Sequence, residues 1–268
     1  MSETELDTAA DELLYEVRDG IGHVTLNRPQ ARNALTFAMY EGLAEICRTT
    51  PTDGSVKAII ITGAGDKAFA AGTDIAQFRA FKTPQDALDY EQRIDKVMGD
   101  IERCPVPTIA AMHGACTGGG AGIAAACDLR LCSGDLKFGF PIARTLGNCL
   151  STSNLMRLVS LVGAGRTREL LFTARLVGAQ EASALGLVAE VLDSQEALLA
   201  RARELAEQMA TFAPLTLRAT KEALRRLKEA QQLLLKDHDL IEMCYMSEDF
   251  REGMEAFLAK RKPDWKGR

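Results

Sequence analysis

Histidine is scarce in this 268-residue chain: there are three, well separated, and a zinc centre built on imidazoles has little to draw on. The seven cysteines are scattered, odd in number and without a C-x-x-C pairing. That excludes a disulfide framework and predicts reduced thiols, several of them in the core, in a cytoplasmic protein. Positive charge is not in excess either, since 32 Lys and Arg face 37 Asp and Glu for a net charge of −5. A broad basic surface for nucleic acid is thereby excluded. No apolar run is long enough to span a bilayer, and the acidic, polar opening residues do not resemble a signal peptide. Residues 1–12 read as a flexible leader. The 47% apolar and 26% charged composition that remains is that of an ordinary globular protein able to bury a sizeable core.

Two small-residue stretches stand out: Phe69-Ala70-Ala71-Gly72-Thr73-Asp74-Ile75 and His113-Gly114-Ala115-Cys116-Thr117-Gly118-Gly119-Gly120-Ala121-Gly122. Each follows a buried-strand pattern, at 58–62 and 108–112, and each precedes a predicted helix. Turns of this kind leave backbone N–H groups uncovered at a helix start. Two of them converging would form an oxyanion hole, a cradle for negative charge growing on a carbonyl oxygen. Elsewhere, 15–17 and 23–26 read as a hairpin closed by Asp19-Gly20. Residues 38–49 read as a helix and 76–103 as a long, mostly helical polar stretch. Strand, glycine turn and helix alternate to about residue 192, an α/β pattern. Beyond Ser194 only helices are expected, at 196–212, 215–237 and 249–260.

These motifs resemble the crotonase (enoyl-CoA hydratase/isomerase) superfamily. The resemblance runs from His23-Val24-Thr25-Leu26-Asn27-Arg28-Pro29 and Asn33-Ala34-Leu35 through both turns to Phe138-Gly139-Phe140-Pro141, Gly186-Leu187-Val188 and Ser247-Glu248-Asp249. It implies a spiral core of repeated ββα units over 13–193 and an all-helical oligomerisation region over 194–268 that builds a homotrimer or a dimer of trimers. It implies an acyl-CoA substrate, with no metal or redox cofactor. The stretch 76–90 would cover the active site.

Carried over motif by motif, the oxyanion donors are the N–H groups of Ala71 and Gly119. Arg28, Gln30, Arg32, Lys67, Ala70 and Lys260 fall where the family binds CoA, although each basic residue taken singly serves equally well as a solubilising charge. The catalytic carboxylates are the point of departure. A hydratase holds a water between two glutamates acting as base and acid. Their positions here are Gly122 and Ile142, with Ala143 the alternative to the latter; none is acidic. A third family position, an aspartate in dienoyl-CoA isomerases, falls near Ser151. Arg144, Asn148, Cys149 and Ser151 are the remaining candidates for the substrate pocket. Hydration by the usual route is therefore not expected. Isomerisation, decarboxylation or thioester hydrolysis through a shared enolate is favoured, with a catalytically weak acyl-CoA-binding homologue as the alternative.

Asp74 is expected to cap a helix, and His113 and Asp128 to be structural. A rival of another class rests on Gly63-Ala64-Gly65-Asp66-Lys67-Ala68, which fits G-x-G-x-x-G/A, with Asp86 about twenty residues on. It would make the protein a nicotinamide-dependent oxidoreductase.

Overall fold

Strands β1 (Leu13–Arg18) and β2 (Ile21–Leu26) form the expected hairpin. Asp19 and Gly20 both take positive φ, as the two-residue turn that matches strand twist demands. The structure, a computed structural model, describes residues 12–232 and 237–268. The leader expected over 1–12 lies outside the described residues except for Glu12.

After β2 the chain repeats one manoeuvre. Helix α1 (Phe37–Thr49) leads to β3 (Ala58–Gly63) and β4 (Ala68–Ala70), a 3-10 segment (Ile75–Ala80) and α2 (Pro84–Arg103). Then come β5 (Thr108–Met112), β6 (Ala115–Thr117) and α3 (Gly119–Ala126), followed by β7 (Leu129–Ser133), β8 (Lys137–Gly139), α4 (Ile142–Thr145) and α5 (Thr152–Thr173). Each strand pair divides itself between two sheets. The larger has the order β1-β2-β3-β5-β7-β10 and the smaller β4-β6-β8-β9, where β9 is Val177–Gly178, β10 is Glu190–Leu192 and the short α6 (Ala179–Ala184) joins them. From β2 onward the larger sheet is parallel throughout. This is the ββα spiral, and its consequence is local: β4 and β6, neighbours in the smaller sheet, each lead into one of the two small-residue turns.

Alternation along the strands builds two cores. Ile59 and Ile61 pack towards α1, α2 and α3, whereas Ala58 and Ile60 face the opposite side with Ile109, Ala111 and Leu131. That second face is covered by Leu198, Ala202 and Ala206 of α7 (Gln195–Ala210), whose N-cap Ser194 accepts from the Ala197 N–H. The C-terminal helical stretch thus begins as part of the core. It continues as α8 (Pro214–Gln232), α9 (His238–Tyr245) and α10 (Glu248–Leu258). Of the helix expected over 215–237, residues 233–236 lie outside the described residues. Helix α9 is an element the sequence pattern did not announce. It is short, and only Ile241 and Tyr245, one turn apart, are buried.

A third cluster joins Ile75 and Phe78 of the 3-10 segment, Ala87 of α2, Leu146, and Ile241, Tyr245 and Phe250 from α9 and α10. It places the C-terminal helices against the polar stretch that precedes β5. No described helix is long and apolar enough to cross a membrane.

Candidate active site

The two small-residue turns do meet. A Cβ built on Gly118 would stand 3.4 Å from the Gly72 Cα, so the turns approach closely enough that a side chain there would crowd the other turn. They border a cavity of about 140 Å³, lined by Ala71–Thr73, Thr117–Gly119 and Gly122 together with Tyr90, Glu91, Asn148 and Phe257 among others. Gly119 cannot carry a side chain, because its Cβ would fall 1.8 Å from the Tyr40 hydroxyl. As the first residue of α3, Gly119 has an N–H with no partner inside its own helix, at the positive end of the helix dipole.

The first turn requires a correction. The Ala71 N–H is donated to the Arg32 carbonyl at 3.0 Å, so Ala71 is not the oxyanion donor expected of it. The Leu35 N–H donates to Gly72 O, and the Asp74 N–H donates to Leu35 O, both at 2.8 Å. This parallel bridge pairs Leu35 with Thr73 and turns the N–H of Thr73 away from Leu35. The Thr73 hydroxyl lies 2.9 Å from the Tyr40 hydroxyl and 3.1 Å from that of Tyr90, a chain of three hydroxyls under the turn. Burial pushes both tyrosines above their ordinary range, so they stay protonated.

Gly122 and Ile142 both face the cavity, and Ala143, exposed, does not. The space beside Gly122 is taken by Met98, whose Cε would lie 3.1 Å from an added Cβ. Asn148 also lines the cavity; its side-chain NH₂ donates to the Tyr245 hydroxyl at 3.1 Å, while its buried Oδ1 accepts nothing from the protein. Three further candidates are displaced. Ser151 is the N-cap of α5, accepting from the Asn154 N–H and donating to Asp95 at 2.8 Å. Cys149 packs beside Cys244, its thiol donating to the Leu240 carbonyl at 3.6 Å, and Arg144 is exposed; neither lines the cavity.

Arg28 is likewise corrected as a free CoA ligand. Its guanidinium donates to the Ala34 carbonyl at 2.6 Å and pairs with Asp74 at 3.1 Å and Glu12 at 3.0 Å. Two carboxylates already balance its charge, so it ties the 28–34 loop to the first turn. Gln30, Arg32, Lys67 and Lys260 are exposed outside the cavity, and Ala70 is buried in β4. Lys260 follows Phe257, the cavity residue of α10, by one turn. Asp74 caps the 3-10 segment as expected, accepting from Ala76 N–H. Asp128 holds Thr108 and Lys221, and His113 is buried with its Nε2 3.4 Å from Gln195. The nicotinamide rival loses its ground: strand β4, not a helix, follows Gly63–Ala68, and Asp86 is spent in a capping box with Thr83.

The group that was missed is Glu91. It lines the cavity and is only 4% exposed. Its Oε1 accepts from the Tyr245 hydroxyl at 2.5 Å, and no ion pair of Glu91 occurs among the described residues. Burial, the dominant cause, raises its pKa from 4.5 to about 8, against the opposing hydrogen bond from Tyr245; nearby Asp95 raises it further. The signal was in the sequence. Ala87, Glu91, Ile94 and Met98 fall on one helical face, and the other three are apolar and buried. An acid on an apolar stripe is an anomaly that points to a function.

Comparison with known proteins identifies the family. The enoyl-CoA hydratase/isomerase family model matches residues 16–268. The chain is 33% identical to the short-chain-enoyl-CoA hydratase of Clostridium acetobutylicum, over 94% of this chain and 96% of that one. Among solved structures, an enoyl-CoA hydratase/carnithine racemase from Magnetospirillum magneticum superposes with a TM-score of 0.77 at 35% identity, covering 96% of each chain. A methylmalonyl-CoA decarboxylase in complex with 2-nitronate-propionyl-CoA superposes with a TM-score of 0.84 at 26% identity, covering 96% of this chain and 99% of that one. With the spiral, the paired turns and this similarity along nearly its whole length, the chain belongs to the enoyl-CoA hydratase/isomerase family of the crotonase superfamily.

Proposed function

We propose that the cavity receives the acyl end of a CoA thioester, with the thioester oxygen between the N–H groups of Thr73 and Gly119, and that the pair stabilises an enolate. The observation that carries this reading is the close approach of two backbone turns at the cavity wall, where Gly119 has no room for a side chain. Such donors act on charge that exists only along the reaction path, and each contributes about 2.7–4 kcal/mol in enzymes where one has been removed. The chemistry needs no metal or redox group.

Two-carboxylate hydration is disfavoured, since Gly122 and Ile142 occupy the positions the family resemblance assigns to acid and base. Without both, hydration forfeits on the order of 10²–10⁴-fold for each. Isomerisation or another reaction of the same enolate takes its place. A decarboxylase is the second reading, favoured by the 0.84 TM-score to a protein of that activity. Against it, no Lys, Arg or His lines the cavity to hold a substrate carboxylate. The exposed apolar side chains of Leu215, Leu224 and Leu227 on α8 support assembly into a trimer.

The test is mass spectrometry of purified protein with unsaturated, malonyl-type and aromatic acyl-CoAs in deuterated water. Double-bond migration or deuterium exchange without hydration is expected. Rapid hydration overturns the reading, and binding with no turnover of any thioester makes the protein an acyl-CoA binder.

A further inference from the structure

The geometry points to Glu91 as the acid–base group of this cavity, shuttling a proton between two carbons of an uncharged, unsaturated acyl-CoA while Tyr245 and Asn148 hold it in place. This assignment rests on the enolate cradle proposed above.

Three observations meet at this side chain. Glu91 lines the same cavity as the two turns, so an acyl group held by the cradle shares that space with the carboxyl. It is held by donors rather than neutralised: the Tyr245 hydroxyl donates to Oε1 at 2.5 Å, the Ser151 backbone hydrogen-bonds it as well, and no cation pairs with it among the described residues. Tyr245 is in turn fixed by the side-chain amide of Asn148 at 3.1 Å. A structural carboxylate this deeply buried ordinarily comes with a cation, because an unpaired charge removed from water is strongly disfavoured and the group takes up a proton instead. Arg157 shows the structural alternative in the same helix pair, bound to Asp95 and Glu102 at 3.4 and 3.0 Å. Glu91 adjoins that network through Ser151 but makes no ion pair with it, and it lines the cavity.

The step balances without a co-reactant. The Glu91 carboxylate takes the proton from the carbon next to the thioester carbonyl of a 3-enoyl-CoA. The C–H electron pair moves into a dienolate whose oxygen rests on the two N–H groups. The protonated carboxyl then returns the proton to the far end of the dienolate, so that the double bond moves into conjugation and Glu91 is again a carboxylate. One carboxyl suffices for this shuttle, whereas water addition requires two groups. A charged acyl chain is rejected, since the cavity offers it no cation and Glu91 would repel a second carboxylate. The titratable groups facing Glu91 are Tyr40, Tyr90, Tyr245, Cys149, Asp95 and Asp237. Their hydroxyls, thiol and carboxyls supply no positive charge, so the base form accumulates only as the pH rises.

The experiment compares wild type, Glu91→Gln and Tyr245→Phe with a 3-enoyl-CoA, following double-bond migration and deuterium exchange, and measures the affinity of each for an unreactive saturated acyl-CoA. Glu91→Gln is expected to lose about 10²–10⁴-fold in kcat while saturated acyl-CoA binds as in wild type. Tyr245→Phe is expected to shift the pH dependence of kcat/KM, a change that loss of packing alone would not produce. In wild type kcat/KM should rise with pH to a plateau above about 8. Isomerisation that survives in Glu91→Gln, or a wild type that binds acyl-CoA and exchanges no proton, overturns the assignment of Glu91 and leaves the cradle standing. A wild type with no affinity for any acyl-CoA overturns the cradle itself. A Glu91→Gln protein that no longer binds saturated acyl-CoA leaves the wild-type pH profile to decide, and a flat profile overturns the assignment.

Discussion

The two walls of the cavity are made of different materials. One is backbone: Thr73 and Gly119 present N–H groups from turns a few residues long, each following a strand that pairs within the parallel sheets. The other is side chain: Glu91 and Asn148 line the cavity from two segments and are backed by Tyr245 from a third, and the bond between Tyr245 and Glu91 spans 154 residues of sequence. A backbone wall is rigid because main-chain hydrogen bonds already fix it, and it tolerates only small residues. A side-chain wall can be rebuilt by substitution without disturbing the fold, which lets one scaffold serve different reactions.

The strongest way to break the backbone wall is Gly119→Ala. The added methyl would fall 1.8 Å from the Tyr40 hydroxyl, so the turn or Tyr40 must move and the N–H loses its aim. Turnover of any accepted thioester should drop by about 10²–10³-fold, measured as kcat.

The side-chain wall is tested by the pH dependence of stability. Glu91 is raised from 4.5 to about 8 in the folded protein, so between those values the folded state holds a proton that the unfolded chain has released. Its contribution is therefore fully present below the lower value and is lost as the pH rises through the upper one. Urea unfolding at about pH 5 and about pH 9 should show wild type losing more stability on the alkaline side than Glu91→Gln, which cannot titrate. Equal losses would show that the carboxyl is not protonated in the folded state.

The smallest effect is expected where the two walls adjoin. In Gly122→Ala the new methyl approaches only the Met98 Cε, at 3.1 Å, the far end of a flexible side chain. Stability should change by less than about 1.5 kcal/mol and turnover should persist. A severe loss of turnover would mean that the space beside Gly122 is needed by substrate.

Much of the molecule was legible from short-range pattern. The Asp19-Gly20 hairpin, the strand at 108–112, the glycine turns and the cap at Asp74 each depend on residues within a few positions of one another. The errors have non-local causes. Ala71 has the small side chain expected near a thioester, but the donor is chosen by where neighbouring N–H groups go, and Arg32 O, distant in sequence, takes that of Ala71. Ser151 and Cys149 lie near the cavity in sequence, and α5 and α9 turn them to other work.

By itself the sequence determined the strand–turn–helix alternation and the two small-residue turns, and through the family resemblance the ββα spiral. Periodicity, turn chemistry and residue identity are properties of neighbouring positions. Only the tertiary structure decided that Thr73 rather than Ala71 turns its N–H away from Leu35, that Arg28 is already neutralised, and that Glu91 meets Tyr245 beside a cavity. Those outcomes depend on which distant groups burial forces together, since a buried donor or acceptor must find its partner wherever the fold brings one.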